Sequence, residues 1–252
     1  MHYFCKNVSI MIYRLTILLS IVFVSCKQIT QESSKETSKE IESSWELLSH
    51  DDSFKGWHIY QNEGGEKSGW IVENGVYTFN HKDAKGEGNR SLTTDEIYTS
   101  FEIKFEWKIS KNSNSGFIWG VSEDKKYKHP HETGPEIQVI DADIYGDDPN
   151  NQKHTVGALY AMSPPNSIAS KKAGEWNQYH ITVNYETNQG KVILNGTEIN
   201  NFPLSGDKWD AMVKNSKFNE MSGFGKYKKG HISFQDHEPG TVSYKNIKIR
   251  RL

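Results

Sequence analysis

The stretch Glu136-Ile137-Gln138-Val139-Ile140-Asp141 carries the polar side chains best placed for chemistry. Side chains of a β-strand alternate between its two faces, which puts Glu136 and Gln138 on one face and the apolar residues on the other. Because the apolar face must point to a core, the carboxyl and amide groups point away from it, with Asp141 at the strand end. Such oxygens can hold hydroxyl groups or a divalent cation. A solvated strand face without a ligand is the alternative.

A second polar cluster, Gln235-Asp236-His237-Glu238, follows an apolar strand and enters the turn at Pro239-Gly240. Sites are often built where a strand ends in a loop. His237 is the best candidate for proton transfer there, because an imidazole titrates at about pH 6.5. Three histidines near the Glu136 strand could take its place, namely His129, His131 and His154.

Another carboxylate of interest is Glu106, within the run Ser100–Ile109, whose apolar and charged residues alternate with a period of two. The alternation predicts a strand with Glu106 on the face away from the core, where it could reach a groove. Alternating Glu and Lys residues also form ordinary cross-strand charge pairs, so Glu106 ranks second.

Several site classes are not supported by the sequence. It has no HExxH stretch and no thiolates beside His129-Pro130-His131, so no zinc pattern is present. It also has no Gly-x-Ser-x-Gly turn for a nucleophilic serine. With 30 Lys and Arg against 32 Asp and Glu, the formal charge is −2, which argues against a nucleic-acid partner.

The N-terminal residues 1–25 read as a targeting signal, in which two basic residues precede the apolar run Leu15–Val24. The run ends in Ser25-Cys26 and resembles the lipobox of bacterial lipoproteins, which predicts lipidation of Cys26 and an exported, envelope-anchored protein. Phe23 departs from the usual Leu. An uncleaved anchor or a plain secretory signal is the alternative. The lipid anchor is the expected membrane contact.

Residues 26–44 are polar and rich in Ser, Glu and Lys, which predicts a flexible tether, and residues 45–252 are expected to form the folded body. The body consists of short alternating runs separated by turn residues, among them Asn195-Gly196, which predicts a two-residue hairpin. Because Cys5 and Cys26 both precede the body, it has no disulfide. About a dozen strands and almost no helical periodicity predict an all-β sandwich of two antiparallel sheets. The predicted strands include Trp70–Val72, Val76–Phe79, Gly116–Val121, Glu136–Ile140, Ala158–Met162, Asn177–Tyr185, His231–Gln235 and Val242–Ile249.

An ordered set of short blocks from about Trp45 to the C-terminus resembles the 3-keto-disaccharide hydrolase domain family. The resemblance implies a concanavalin-like jelly roll with a saccharide groove. The blocks are Phe54-Lys55-Gly56-Trp57, Gly69–Gly75, Phe105–Ile109, Asn114-Ser115-Gly116, Gly134–Asp141, Gly157-Ala158-Leu159-Tyr160, Gly174-Glu175-Trp176-Asn177, Gly230–His237 and Tyr244–Ile249.

The resemblance also implies action on glycosides oxidised at C3 of the sugar. A C3 ketone makes the C2 proton acidic, so a base can remove it and expel the anomeric oxygen, and water addition completes the cleavage. His237 or a neighbouring histidine would be the base, while Glu136 and Gln235 would bind the sugar or a divalent cation. The expected substrate-binding residues are Gln138, Gln235, Asp141, Tyr160 and Trp119. A two-carboxylate glycosidase would instead use Glu106 with Glu136.

A non-catalytic carbohydrate-binding module is the main alternative, with Trp119, Tyr160 and Trp209 stacking on sugar rings. It differs from the enzyme in not needing His237 and Glu136 in one pocket. A structural lipoprotein without a ligand ranks third.

Overall fold

The computed structural model describes residues 45–62, 67–85, 88–146, 148–237 and 239–252. Residues Glu46–Leu252 form one compact unit. The predicted signal, Cys26 and the tether lie outside the described residues. Within the described ranges, no helix is long and apolar enough to cross a membrane.

The described part of the chain forms two antiparallel sheets, so the all-β sandwich predicted from the sequence is confirmed. The strands are β1 Glu46–Leu47, β2 Trp57–Ile59, β3 Trp70–Glu73, β4 Val76–Asn80, β5 Leu92–Thr94, β6 Phe101–Ile109, β7 Asn114–Val121, β8 Glu136–Ile140, β9 Asn177–Asn184, β10 Gln189–Leu194, β11 Thr197–Phe202, β12 His231–Phe234 and β13 Thr241–Arg251. The larger sheet has the order β11-β10-β9-β6-β13-β4-β3, with β1 also paired to β13, and the smaller has the order β2-β5-β12-β7-β8.

The core lies between the facing sheets and is rich in aromatic rings. In β6 the apolar residues are buried and the charged residues alternate with them at half-buried positions, as the period of two predicts. Phe105 of β6 contacts Phe117 of β7 and Phe234 of β12, at centroid distances of 5.5 and 5.2 Å. These ring contacts join the two sheets without any disulfide.

The hairpin predicted at Asn195-Gly196 joins β10 to β11, and both turn residues have positive φ, 50° and 86°. The predicted strand Ala158–Met162 is wrong. Gly157 and Ala161 both adopt positive φ, which bends this segment into a turn with only isolated bridges. The helix α1, Asp207–Lys214, was not predicted. The buried residue of this eight-residue helix is Trp209, so the helix has no repeating apolar face that the sequence could reveal.

The smaller sheet is covered on both faces. Phe117 and Trp119 of β7 belong to the main core, whereas Ile118, between them, belongs to a separate apolar cluster with Tyr60 and Val121. Successive residues of a strand point to opposite faces, so this second cluster marks the outer face. Glu136 pairs with Ile118 in register and therefore shares that outer face.

Candidate active site

Gly116 is the centre of a polar array on the outer face of the smaller sheet. It pairs with Gln138 of β8, and on its other side the backbone N–H of Gln235 donates to its carbonyl oxygen at 2.9 Å. The three residues thus form a row across adjacent strands, which are about 4.8 Å apart. A Cβ atom at Gly116 would overlap the carboxyl group of Glu136. The missing side chain therefore leaves the space in which Glu136 lies.

A pocket of about 150 Å³ opens above this array. Its floor comes from strand residues and its walls from loops that cross the outer face of the sheet. The lining residues are Asn114, His131, Glu136, Gln138, Tyr160, Lys217, Phe218, Gln235 and His237.

Tyr160 is positioned by a loop that hydrogen-bonds to the edge of β8. The Tyr160 N–H donates to the Glu136 carbonyl at 3.0 Å, and the Gln138 N–H donates to the Ala158 carbonyl at 3.1 Å. The Gly157 N–H donates to the Gln138 carbonyl at 3.1 Å. This backbone pairing brings the Tyr160 ring over one side of the pocket.

Lys217 and Phe218 are positioned by the turn after α1. The Ser216 hydroxyl donates to the Val213 carbonyl at 2.7 Å and accepts from the Phe218 N–H at 3.1 Å. Phe218 is buried and stacks on Phe224 with a centroid distance of 4.0 Å. This anchored ring holds its neighbour Lys217 at the pocket.

Glu136 is the carboxylic acid of the pocket and is only 5% exposed. Burial raises its pKa to about 8, against the opposing positive charge of Lys217. Among the described residues, no hydrogen bond reaches its carboxyl oxygens. At neutral pH Glu136 is therefore mainly protonated and able to give up a proton.

Histidines lie at the pocket in two different environments. Burial lowers the pKa of His131 to about 4, helped by the nearby charges of His129 and Lys217. His131 is therefore a neutral imidazole at pH 7, and its ring stacks on His129 at 5.2 Å. His237 is exposed at the rim. His154 does not line the pocket but supports Tyr160 from behind, with ring centroids 5.2 Å apart.

Three amide oxygens of the pocket are buried and have no hydrogen-bond partner among the described residues: Asn114 Oδ1, Gln138 Oε1 and Gln235 Oε1. The Gln138 amide donates its N–H to the His154 carbonyl at 3.1 Å, which leaves its oxygen for the pocket. Buried acceptors without partners are uncommon, and at a pocket their donors are supplied by a ligand or by bound water. Hydroxyl groups are suitable donors.

Comparisons with known proteins agree with this architecture. Residues 44–250 match the family described as the 3-keto-alpha-glucoside-1,2-lyase-like domain. The chain belongs to this family. A relative named 3-keto-disaccharide hydrolase, from Bacteroides thetaiotaomicron, is 29% identical over 227 residues, which cover 79% of this chain and 75% of the relative.

Solved structures from Parabacteroides distasonis, titled as candidate glycosyl hydrolases, are also similar to this member of the lyase-like family. One has a TM-score of 0.75 and 31% identity, with coverage of 85% of this chain and 96% of that protein. Another has a TM-score of 0.59 and 24% identity, with coverage of 82% and 99%. The second shows the sandwich fold alone.

The structure brings most of the predicted site residues of this family member into one pocket. They are Glu136, Gln138, Tyr160, Gln235 and His237. The convergence of Glu136 and His237 is the feature expected of an enzyme rather than a binding module.

Three predicted residues lie elsewhere. Glu106 is on the larger sheet, where it accepts from Asn246 at 2.6 Å and lies 3.5 Å from the ammonium of Lys245. Trp119 is 1% exposed and stacks on Phe202 in the core, so it cannot reach a sugar.

Asp141, the third, is buried, and its two carboxylate oxygens accept the backbone N–H groups of Asn112 and Asp143, at 2.8 and 3.2 Å. It shapes a turn. A cation held jointly by Glu136, Gln138 and Asp141 is therefore not supported. Over the described ranges, no group of three or more His, Cys, Asp or Glu side chains is placed to hold a metal ion.

Asn114, Lys217 and Phe218 were not predicted. The sequence prediction started β7 at Gly116, but the strand starts at Asn114. A strand that includes Asn114 places it two residues from Gly116 and hence on the same face. Lys217 and Phe218 lie in a segment without strand or helix periodicity, and only the tertiary fold brings them to β8.

Proposed function

We propose that this protein cleaves glycosidic bonds of 3-keto glycosides by elimination across C1 and C2, followed by addition of water. Membership of the lyase-like family and the relative named 3-keto-disaccharide hydrolase support the substrate class. The observation that carries the proposal is one pocket lined by the buried carboxyl group of Glu136 and the imidazoles of His131 and His237, and burial raises the pKa of Glu136 to about 8. Groups whose pKa values are moved apart are suited to separate acid and base roles.

The reaction begins with removal of the C2 proton, which the adjacent C3 ketone makes acidic. His237, at the open rim, is the proposed base. His131 is the second candidate because its low pKa keeps it unprotonated, although a lower pKa also makes it the weaker base. The electrons of the C2–H bond move to the C3 oxygen and form an enolate.

Glu136 then acts as the general acid. The enolate collapses, the C1–C2 double bond forms and the C1–O bond breaks, while Glu136 protonates the departing oxygen. The carboxylate formed is disfavoured in its buried site, so it readily takes a proton from the water that adds to C1. The same residue thus serves elimination and hydration.

The unpartnered oxygens of Asn114, Gln138 and Gln235 are proposed to accept hydrogen bonds from hydroxyl groups of the sugar. Tyr160 supplies a ring at the side of the pocket, where a sugar face can pack. A pocket of about 150 Å³ accommodates one sugar ring more readily than a chain.

The test is to incubate the purified protein with a 3-keto disaccharide and with its unoxidised parent, each with and without a chelator. Release of the leaving sugar from the 3-keto substrate alone is expected. Release from both substrates would indicate an ordinary glycosidase. Binding without release would indicate a carbohydrate-binding module. Loss of activity with chelator would indicate that the reaction requires a metal ion.

A further inference from the structure

The proposed elimination places negative charge on the C3 oxygen, and most polar groups of the pocket carry no positive charge to stabilise it. The unpartnered buried atoms of Asn114, Gln138 and Gln235 are oxygens, which accept hydrogen bonds, and the N–H groups of the same amides are neutral donors. The protonated Glu136 is needed at the leaving oxygen. A positive charge, which binds an enolate more strongly than a neutral donor does, must therefore come from another side chain.

Lys217 is the only lysine or arginine that lines the pocket among the described residues. Within those residues, Lys217 forms no ion pair with a carboxylate at 4 Å or less. Its charge is close enough to affect Glu136, His131 and His154.

The ammonium group of Lys217 is held in a defined place. It donates to the Tyr160 hydroxyl at 3.1 Å and lies 4.2 Å from the centre of the Tyr160 ring and 5.3 Å from that of Phe218. Two aromatic faces restrict a side chain that is otherwise flexible. An ammonium has three N–H donors, so donors remain for a ligand after the bond to Tyr160. Because Tyr160 accepts this bond, its own O–H is also available to donate.

We propose that Lys217 is a catalytic residue that binds the C3 oxygen of the substrate, assisted by the hydroxyl of Tyr160, and stabilises the enolate formed when C2 loses its proton. This assignment rests on the proposed function. No covalent bond to the lysine forms. As the base takes the C2 proton, the electrons of the C2–H bond form the enolate, whose negative charge lies on the C3 oxygen. When the C1–O bond breaks, the C3 carbonyl forms again and the C1–C2 double bond is made.

The assignment also gives a basis for selecting the oxidised sugar. An ammonium is matched to a carbonyl oxygen, which can only accept. The C3 hydroxyl of an unoxidised sugar develops no such charge. Lys217 is therefore expected to favour the transition state of the keto substrate more than its ground state, which affects kcat more than KM.

The test compares Lys217→Met and Lys217→Arg with the wild-type protein, using a 3-keto disaccharide as substrate. Lys214→Met is the matched control, because Lys214 is an exposed lysine at the end of α1 and does not line this pocket. We expect Lys217→Met to lower kcat by about 10²–10³-fold, as loss of one oxyanion donor does, with KM changed much less. Lys217→Arg keeps the charge and should recover part of the rate. Lys214→Met should match wild type.

A second measurement excludes a purely structural effect. Removing the Lys217 charge raises the pKa of Glu136, so the loss of kcat at high pH should move to higher pH in Lys217→Met but not in Lys217→Arg. Exchange of the C2 proton with solvent should slow by the same factor as kcat. A Lys217→Met variant with wild-type kcat, or with reduced kcat only through a lower melting temperature, would overturn the assignment. No release by the wild-type protein would instead overturn the proposed function, and the Lys217 assignment with it.

Discussion

Glu136 is a carboxylic acid in an environment that favours its protonated form. It is buried, no donor among the described residues bonds to its carboxyl oxygens, and three amide oxygens line the same pocket. An ionised carboxylate would lose its hydration there without compensation. The residue is thus poorly suited to structural stability and well suited to giving up a proton to a substrate.

Replacement of Glu136 by Gln should lower kcat/KM by about 10²–10⁴-fold, the usual contribution of a general acid or base. In the wild type, the acid form of Glu136 is required, so kcat/KM should fall as the pH rises through the pKa of about 8, whereas the acidic side of the profile reports the histidine base. The measurement is a pH–rate profile on a 3-keto disaccharide.

Glu106→Gln is the control for that experiment, because Glu106 pairs with Lys245 on the other sheet and should leave kcat/KM unchanged. If Glu136 were instead the base, kcat/KM would rise as the pH passes through about 8 and would reach its plateau above that pH, which would contradict the acid role.

At this scale, sequence reasoning found the residues whose position depends on strand alternation. Glu136 and Gln138 share a face because they are two residues apart in a strand. The prediction that Trp119 binds the substrate was wrong. Alternation also applies to β7 and places Trp119 in the core, beside Phe117. Lys217 could not be found, because its place at the pocket depends on the ring stack of Phe218 on Phe224.

At the scale of elements, the site depends on β7, β8 and β12 lying side by side. Gly116 provides the open place in the middle of these strands, and its neighbours Gln138 and Gln235 come from the two flanking segments. Since Gly116 is not among the glycines with positive φ, its importance is the space it leaves, not its backbone freedom.

Gly116→Ala should therefore displace the Glu136 side chain. Overpacking of this kind typically destabilises a protein by about 1–3 kcal/mol, and we expect kcat to fall at least as far as it does in Glu136→Gln. Chemical denaturation and kinetics on the same variant measure both effects.

The double variant Gly116→Ala/Glu136→Ala tests the cause. If the added methyl group acts through Glu136, the stability cost of Gly116→Ala should be much smaller in the Glu136→Ala background. Equal costs in the two backgrounds would show that the methyl group disturbs the sheet itself.

Turn chemistry and strand periodicity were predictable where the local signal was strong. The Asn195-Gly196 hairpin and the β6 alternation are both local properties. The Ala158–Met162 segment has a strand-like composition but folds as a turn against the edge of β8, because its carbonyl and N–H groups pair with Glu136 and Gln138. Such a tertiary interaction leaves no periodic signal in the sequence.

At the scale of the whole molecule, the fold and the family were predictable because the ordered blocks extend over the body. The sandwich places its aromatic core between the sheets and its polar pocket on the outer face of the smaller sheet. The side of that sheet on which loops gather could not be predicted, since it depends on where segments such as 155–163 and 215–225 pass.

Export and anchoring remain predictions of the N-terminal pattern at Ser25-Cys26. We expect the protein to incorporate an alkyne-labelled fatty acid in a bacterial host, and the Cys26→Ser variant to lose the label and move from the membrane to the soluble fraction. The Cys5→Ser variant is the control and should keep the label. Labelling of Cys26→Ser at the wild-type level would contradict lipidation at this position.

Elimination across C1 and C2 is tested most directly with a 3-keto disaccharide that carries deuterium at C2. If cleavage proceeds by elimination and hydration, the released 3-keto sugar should have lost the deuterium to solvent, and its release should show a primary isotope effect. Cleavage that retains the deuterium at C2 and shows no primary isotope effect would mean that this bond does not break and would contradict the elimination.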